Sequence, residues 1–250
     1  MNAPQAVGSA AATQPRWDAA LAVLQEAAAL APAAFSTSFG AEDMVLLDLI
    51  ARHRLPIAVF TLDTGRLPEE TYALMQQVEE RYGALLGGRA FATLYPDAAA
   101  LQDLVARNGI NGFYESIERR KACCAVRKVE PLARGLRGQR AWVTGLRAQQ
   151  SSTRAALAAR EPDATHGLEK FSPLHDWNEA EVWDYLRSRA VPYNALHDRF
   201  YPSIGCAPCT RAVAVGEDLR AGRWWWENAE TKECGLHPGG GRSVRIQEIR

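Results

Sequence analysis

Short apolar segments alternate with stretches of helical periodicity along most of this chain, and this alternation limits the folds available to it. Strands are predicted where the apolar segments are short, at residues 33–38, 56–62, 89–94 and 141–145. Helices are predicted where apolar residues recur at helical spacing, at residues 17–30, 41–52, 68–82, 97–107, 124–135 and 178–189. Such an alternation builds a mostly parallel sheet with helices on both faces. The sequence therefore predicts an α/β fold, followed by an irregular, cysteine-containing C-terminal segment.

Composition and charge narrow the possible functions. The 250 residues suffice for one α/β domain with or without a small appendage. The 29 basic residues equal the 29 acidic ones, so no overall field favours nucleic acid or an anionic membrane. The longest apolar runs, such as residues 44–50, are far shorter than a membrane span. We therefore expect neither nucleic acid nor a membrane as partner, and any anion site must come from local clustering of cations.

The two ends of the chain are predicted to differ from its middle. Residues 1–15 are rich in Ala, Gly, Ser and Pro and lack Lys and Arg, which predicts a disordered leader rather than a secretory signal. Residues 16–225 are predicted to form the main domain, and residues 226–250 a flexible tail. We expect a cytoplasmic protein, in which cysteines stay reduced and serve as ligands or catalysts.

Three polar loops follow predicted strands, at residues 36–43, 63–66 and 145–154. Parallel sheets bind their ligands beyond the carboxyl ends of the strands, so these loops are expected to border one site. Ser36, Ser38 and Gly40 lie between a strand and a helix, where backbone N–H groups can face an anion. The acidic pair that follows, at positions 42 and 43, would disfavour extra negative charge there.

Four of the five cysteines form two pairs: Cys123 and Cys124 are adjacent, and Cys206 and Cys209 form a C-x-x-C. Two ligand pairs from distant segments can surround one soft metal centre, either zinc or an iron–sulfur cluster. An adjacent pair spans a single metal ion poorly, whereas a cubane offers a separate iron to each cysteine. Zinc, a thioredoxin-type dithiol switch and buried unliganded thiols remain alternatives.

The fifth cysteine, Cys234, lies near the C-terminus in the sequence ECGLH and precedes the glycine run 239–241. His237 and nearby arginines would lower the pKa of this thiol and make it a nucleophile. An unreactive thiol in a flexible tail is the other interpretation.

The cysteine motifs resemble one known family. The string from Cys123 to Leu132 (CCAVRKVEPL), the C-x-x-C and the terminal ECGLH are similar to those of assimilatory adenylyl-sulfate reductases. SFGAED from Ser38 and LDTG from Leu62 match as well, and the resemblance spans about residues 30–237. It implies an adenine-nucleotide α-hydrolase-like fold and a 4Fe–4S cluster held by Cys123, Cys124, Cys206 and Cys209.

The resemblance also implies an activity. Cys234 would take sulfur from adenosine 5′-phosphosulfate, release AMP and carry a thiosulfonate until thioredoxin or glutaredoxin frees sulfite, in sulfate assimilation and cysteine biosynthesis. Family members without the four ligand cysteines reduce the 3′-phosphorylated nucleotide, so the unphosphorylated one is the expected substrate here. A reductase of 3′-phosphoadenosine 5′-phosphosulfate and a zinc-stabilised nucleotide-binding module are the alternatives. The oligomeric state is open, with a homo-oligomer possible.

The resemblance assigns roles to further residues. Lys128 and His237 are expected at the reaction centre, and Arg154, Arg220 and Arg223 at the substrate anion. Each has a structural alternative: a solvated charge on a helix, a capped tail, or stacking on the tryptophans that follow Arg223. Arg147 is left open as a pocket residue. A last group is expected along the adenosine, although a strand-ending turn explains it equally well: Asp63, Thr64 and Gly65.

Overall fold

The computed structural model describes residues 14–150 and 157–228. Its strands are β1 (Ala33–Thr37), β2 (Ile57–Leu62), β3 (Ala92–Leu94), β4 (Ala141–Val143), β5 (Arg160–Asp163) and β6 (Leu168–Phe171). Its α-helices are α1 (Gln14–Ala29), α2 (Ala41–Arg52), α3 (Glu69–Tyr82), α4 (Ala98–Asn108), α5 (Ile117–Cys124), α6 (Glu130–Leu136) and α7 (Glu179–Ser188). The predicted alternation of strands and helices is confirmed.

The strands form one sheet in the order β3-β2-β1-β4-β6-β5. All neighbours run parallel except β5 and β6, which pair antiparallel at one edge. β1 is central, and its Phe35 faces Val59 of β2 on one side and Val143 of β4 on the other. The mostly parallel sheet agrees with the prediction. Its antiparallel edge was not predicted.

Helices cover both faces of the sheet. Ala33 and Phe35 of β1 point into the larger core, together with buried residues of α1, α2, α3 and α7. The residue between them, Ala34, points the other way and packs against Leu132 and Leu136 of α6. Because successive side chains of a strand alternate between faces, this pattern places apolar layers on both sides. The predicted fold class is confirmed.

The helix predicted at residues 124–135 begins earlier in the structure, at Ile117, and is not one continuous α-helix. α5 ends at Cys124, a π-helical turn covers Ala125–Val129, and α6 begins at Glu130. π-helical turns are rare and often occur at functional sites. This one carries Lys128. Side-chain periodicity predicts a helix here but does not distinguish the i→i+5 hydrogen bonds of a π turn from ordinary helical ones.

Beyond α7 the chain is irregular, as predicted, and folds back on itself beside the cysteines. Thr210 bridges Arg223, and the amide of Trp224 donates to the carbonyl of Cys209 at 3.1 Å. Within the described part of the chain, the helices are too short or too polar to cross a bilayer. The predicted leader and tail lie mostly outside the described residues, so those domain boundaries stay predictions.

Candidate active site

A cavity of about 270 Å³ opens at the carboxyl ends of β1, β2 and β4. One side, which we call the sheet wall, consists of residues 36–43 and 144–147 together with Thr61, Leu62 and Thr64. The other side, which we call the cysteine wall, consists of Lys128, Arg220, Arg223 and Trp224. The predicted site residues that line this cavity are Ser36, Ser38, Gly40, Thr64, Lys128, Arg220 and Arg223.

The loop after β1 is organised around the buried carboxylate of Asp43. The Ser38 amide donates to Asp43 Oδ2 at 2.6 Å and the Ser38 hydroxyl at 2.8 Å. Burial, with a smaller contribution from the charge of Glu42, raises the pKa of Asp43 to about 6 against the lowering effect of the Ser38 hydrogen bonds. The amide of Phe39 donates to Thr37 Oγ1. These two amides therefore serve the loop itself, whereas the sequence predicted that they face an anion.

The hydroxyl of Ser36 accepts a hydrogen bond from a tryptophan. The indole Nε1 of the buried Trp142 donates to Ser36 Oγ at 2.8 Å. A hydroxyl that accepts from one side keeps its own proton for another acceptor. Ser36 can therefore donate into the cavity.

The turn after β2 is only partly in the cavity. Asp63 Oδ1 accepts from the Gly65 amide and from the Tyr72 hydroxyl, each at 2.8 Å. Gly65 has a φ of 68°, which glycine adopts readily. Thr64 lines the cavity, and its hydroxyl lies 3.2 Å from Cys206 Sγ. The structure thus brings Thr64 to the site and uses Asp63 and Gly65 to shape the turn, so their contact with substrate stays a prediction.

Arg147, which the sequence left open, lies in the cavity as half of a buried ion pair. Its Nη2 is 2.7 Å from Glu42 Oε1, and its side chain is 5% exposed. The pair joins the loop after β4 to the start of α2. The positive charge of Arg147 is therefore neutralised by Glu42, which belongs to the same wall.

The four paired cysteines surround a second, smaller cavity of about 20 Å³ on the far side of the cysteine wall. Lys128, Arg223 and Trp224 line both cavities. A cation held by this wall therefore lies between the thiols and the larger cavity. Two distant segments thus bring the four cysteines to one cavity, and their role as ligands of one metal centre stays a prediction.

The surroundings shift the pKa values of the thiols in different directions. Burial would raise the pKa of Cys206, but Lys128, the hydrogen bond with Thr64 and two arginines lower it overall. Burial and the neighbouring Cys206 raise the pKa of Cys209 to about 12. Burial also raises the pKa of Cys123. Holding several thiolates here requires a positive centre among them.

The cysteine cavity also contains N–H donors with unmet hydrogen-bonding capacity. Arg127 Nε and Trp224 Nε1 are buried without a hydrogen-bond partner in the described structure, and both side chains line the cavity. In the described ranges, no three His, Cys, Asp or Glu side chains form a site for a single metal ion. Four thiols and inward N–H donors fit an electron-rich iron–sulfur cluster, whose sulfur atoms accept hydrogen bonds.

Three predicted site residues lie outside the described residues: Cys234, His237 and Arg154. Their roles stay predictions. Conversely, the sequence predicted no site role for Trp142 or Arg127, and it gave Trp224 only as a ring on which the preceding arginines could stack. Arg127 stands beside Lys128 in the cysteine motif, which was a usable signal, whereas nothing in the sequence connects Trp142 with Ser36.

The fold and the two adjoining cavities define a protein of the adenine-nucleotide α-hydrolase-like class. A family model described as the phosphoadenosine phosphosulfate reductase domain matches residues 32–212. The chain belongs to this family, and the resemblance drawn from its motifs is confirmed.

Individual relatives agree with this assignment. An adenosine 5′-phosphosulfate reductase of Allochromatium vinosum is 64% identical over 203 residues, 81% of this chain and 77% of that protein. One of Burkholderia cepacia is 53% identical, over 81% of this chain and 79% of that protein. The crystal structure of a Candida auris phosphoadenylyl-sulfate reductase in a phosphate complex has a TM-score of 0.65 at 26% identity, over 84% of this chain and 100% of that one. Yeast FAD synthetase shares the fold alone, with a TM-score of 0.54 at 16% identity over 84% and 70% of the chains.

Proposed function

We propose that this protein reduces adenosine 5′-phosphosulfate to sulfite and AMP, as the first step after sulfate activation in sulfate assimilation, in the cytoplasm. The observation that carries the proposal is the cysteine wall, which places Lys128, Arg220 and Arg223 along a cavity at the carboxyl ends of the strands. Its relatives named adenosine 5′-phosphosulfate reductases support the same substrate.

The first step is a displacement at sulfur. The Cys234 thiolate attacks the sulfate sulfur, an S–S bond forms, and the bond from sulfur to the bridging oxygen breaks. AMP leaves with the electron pair, and Cys234 carries S–SO₃⁻. Negative charge grows on the departing phosphate oxygen, so fixed cations stabilise the transition state more than the ground state. Lys128, Arg220, Arg223 and Arg154 would supply that charge, with His237 near the nucleophile.

The second step needs an external dithiol. A thiolate of thioredoxin or glutaredoxin attacks the sulfur of Cys234, forms a mixed disulfide and releases sulfite. The partner's second thiol then closes its own disulfide and returns Cys234 as a thiolate, so two electrons come from the dithiol. Four of the five cysteines are assigned to the cluster, so no resolving thiol remains in the chain.

The cluster would be held by Cys123, Cys124, Cys206 and Cys209. When bound, it supplies a compact charged group next to Lys128. Because Lys128 lies in the π-helical turn directly after Cys124, holding the cysteines fixes the backbone that carries this lysine. Thr64, Arg127 and Trp224 would orient the cysteine sulfurs from outside.

The proposed preference is for the nucleotide without a 3′-phosphate. Glu42 and Asp43 both line the cavity, and Arg147, the nearby cation, is already paired with Glu42. Because Glu42 and Arg147 offset each other, the charge that would repel an additional phosphate on this wall is that of Asp43. A reductase of the 3′-phosphorylated nucleotide is the alternative, and direct competition between the two nucleotides distinguishes them.

Mass spectrometry tests the proposal. Anaerobically purified protein is mixed with adenosine 5′-phosphosulfate in the absence of thioredoxin, and peptides are then mapped. We expect one added SO₃ on Cys234, and its loss as sulfite when reduced thioredoxin is added. An unmodified Cys234, or label on Cys206 or Cys209, would contradict the mechanism. A colourless protein that contains one zinc per chain would instead support the nucleotide-binding module.

A further inference from the structure

A buried ion pair ties the last described segment of the chain to the helix that carries two of the cysteines. Arg120 lies on α5, one helical turn before Cys124, and Glu227 lies next to the end of the described residues. Arg120 Nε and Nη2 donate to the two carboxylate oxygens of Glu227, each at 2.8 Å. The two side chains are only 1% and 3% exposed.

Other contacts surround the same pair. The Arg120 guanidinium lies 4.7 Å from the ring centroid of Trp224, and it also hydrogen-bonds the side chain of Cys124. The amide of Glu227 donates to the carbonyl of Trp224, whose own amide donates to Cys209. The segment 224–227 is therefore joined to both cysteine pairs.

Stability alone is a poor reason for this arrangement. A buried ion pair must be desolvated, and apolar residues of similar volume often hold two segments together as well or better. What a bidentate guanidinium–carboxylate pair adds is a fixed orientation of both partners. The orientation fixed here is that of the backbone at Glu227, and Cys234 follows seven positions later in the sequence.

We propose that Arg120 and Glu227 are positioning residues for the sulfur-transfer step, because their pair fixes the backbone at Glu227, from which the sequence continues to Cys234. This rests on the proposed function, in which Cys234 is the nucleophile. Loss of the pair would leave the backbone at Glu227 without this fixed orientation, and a misplaced nucleophile reacts up to about a hundred-fold more slowly.

The test measures the rate of SO₃ transfer to Cys234 in single turnover at saturating adenosine 5′-phosphosulfate, with no thioredoxin. Glu227→Gln removes the charge, and Arg120→Lys keeps the charge but loses the fork. We expect both to slow labelling about ten-fold or more, while the dissociation constant of AMP and the rate of Cys234 alkylation by iodoacetamide stay at wild-type values. The matched control is Glu217→Gln, which breaks the exposed bidentate pair with Arg211 and should leave all three unchanged.

A double variant separates orientation from packing. Arg120→Leu with Glu227→Leu removes both buried charges and keeps an apolar contact, so it should fold and bind AMP. We expect its labelling to remain slow. Labelling at the wild-type rate in this protein or in Glu227→Gln would overturn the inference, as would a loss of AMP affinity equal to the loss in labelling rate. An unlabelled wild-type Cys234 would overturn the proposed function and the inference together.

Discussion

The two walls of the large cavity differ in how their polar groups are satisfied. On the sheet wall, Ser38 donates to Asp43, Trp142 donates to Ser36, and Arg147 pairs with Glu42. Behind the cysteine wall, Arg127 Nε and Trp224 Nε1 are buried without a hydrogen-bond partner in the described structure. Burying such donors is costly unless a group beyond the described residues accepts from them.

The difference indicates a division of work. On the sheet wall, protein contacts hold Ser36, Asp43 and Arg147 in place, so this wall is suited to recognising a nucleotide without rearrangement. The cysteine wall concentrates cations next to four thiols and is suited to stabilising charge that develops during reaction. We expect substitutions on the sheet wall to change affinity and substitutions on the cysteine wall to change rate.

The largest effect is expected from Cys234→Ser. A hydroxyl is a far weaker nucleophile than a thiolate, so SO₃ transfer to the protein should be abolished. Visible absorbance, iron content and AMP binding should be retained, because neither wall is altered. Residual labelling elsewhere on the chain would show that a different sulfur attacks.

Removing Lys128, the cation that lies between the two cavities, tests whether the cysteine wall sets the rate of sulfur transfer. Lys128→Ala should slow SO₃ transfer about 100-fold, the usual cost of losing one group that stabilises transition-state charge. AMP affinity should change much less. Lys121→Ala, at an exposed position on α5, is the control and should label at the wild-type rate.

The buried carboxylate of the sheet wall predicts a pH dependence of stability. The pKa of Asp43 is raised from 3.8 to about 6. Its stabilising contribution is therefore full below pH 3.8 and is lost as pH rises through about 6. Relative to wild type, Asp43→Asn should gain about 3 kcal/mol in free energy of unfolding across that range.

Urea unfolding at several pH values measures this difference. Asp184→Asn, at an exposed position on α7, is the control for the loss of one charge. A constant difference between wild type and Asp43→Asn at all pH values would contradict the raised pKa.

The smallest effect is expected from Ser36→Ala. It removes one neutral hydrogen bond to the nucleotide, worth about 1 kcal/mol. AMP affinity should fall about five-fold, while SO₃ transfer at saturating nucleotide keeps its rate. Isothermal titration measures the affinity. Ser188→Ala, on α7 away from the cavity, is the control.

Much of the fold followed from side-chain periodicity. Residues 41–52 were predicted as a helix and form α2 with those bounds, because a continuous apolar stripe follows Gly40. β5 was missed because its sequence, REPD, has no apolar alternation and contains a proline, which only an edge strand tolerates. The π-helical turn was missed because side-chain types do not determine which backbone carbonyl accepts the hydrogen bond of each amide.

Those site residues could be predicted whose side-chain type and local motif indicate their chemistry. Paired cysteines identified one side of the site, and Lys128 was found because it follows them. The contacts of Trp142 and the pairing of Arg120 with Glu227 depend on which distant segments meet, and no local pattern carries that information. Asp63 accepts hydrogen bonds within its turn, and its contact with substrate stays a prediction, since a carboxylate after a strand suits both uses.

The most direct test of the division between the walls measures AMP affinity and the saturated rate of SO₃ transfer in Lys128→Ala and Ser36→Ala side by side. We expect opposite outcomes: a slow rate with nearly normal affinity for the lysine variant, and a normal rate with weakened affinity for the serine variant. Equal losses of affinity and rate in both proteins would contradict this division.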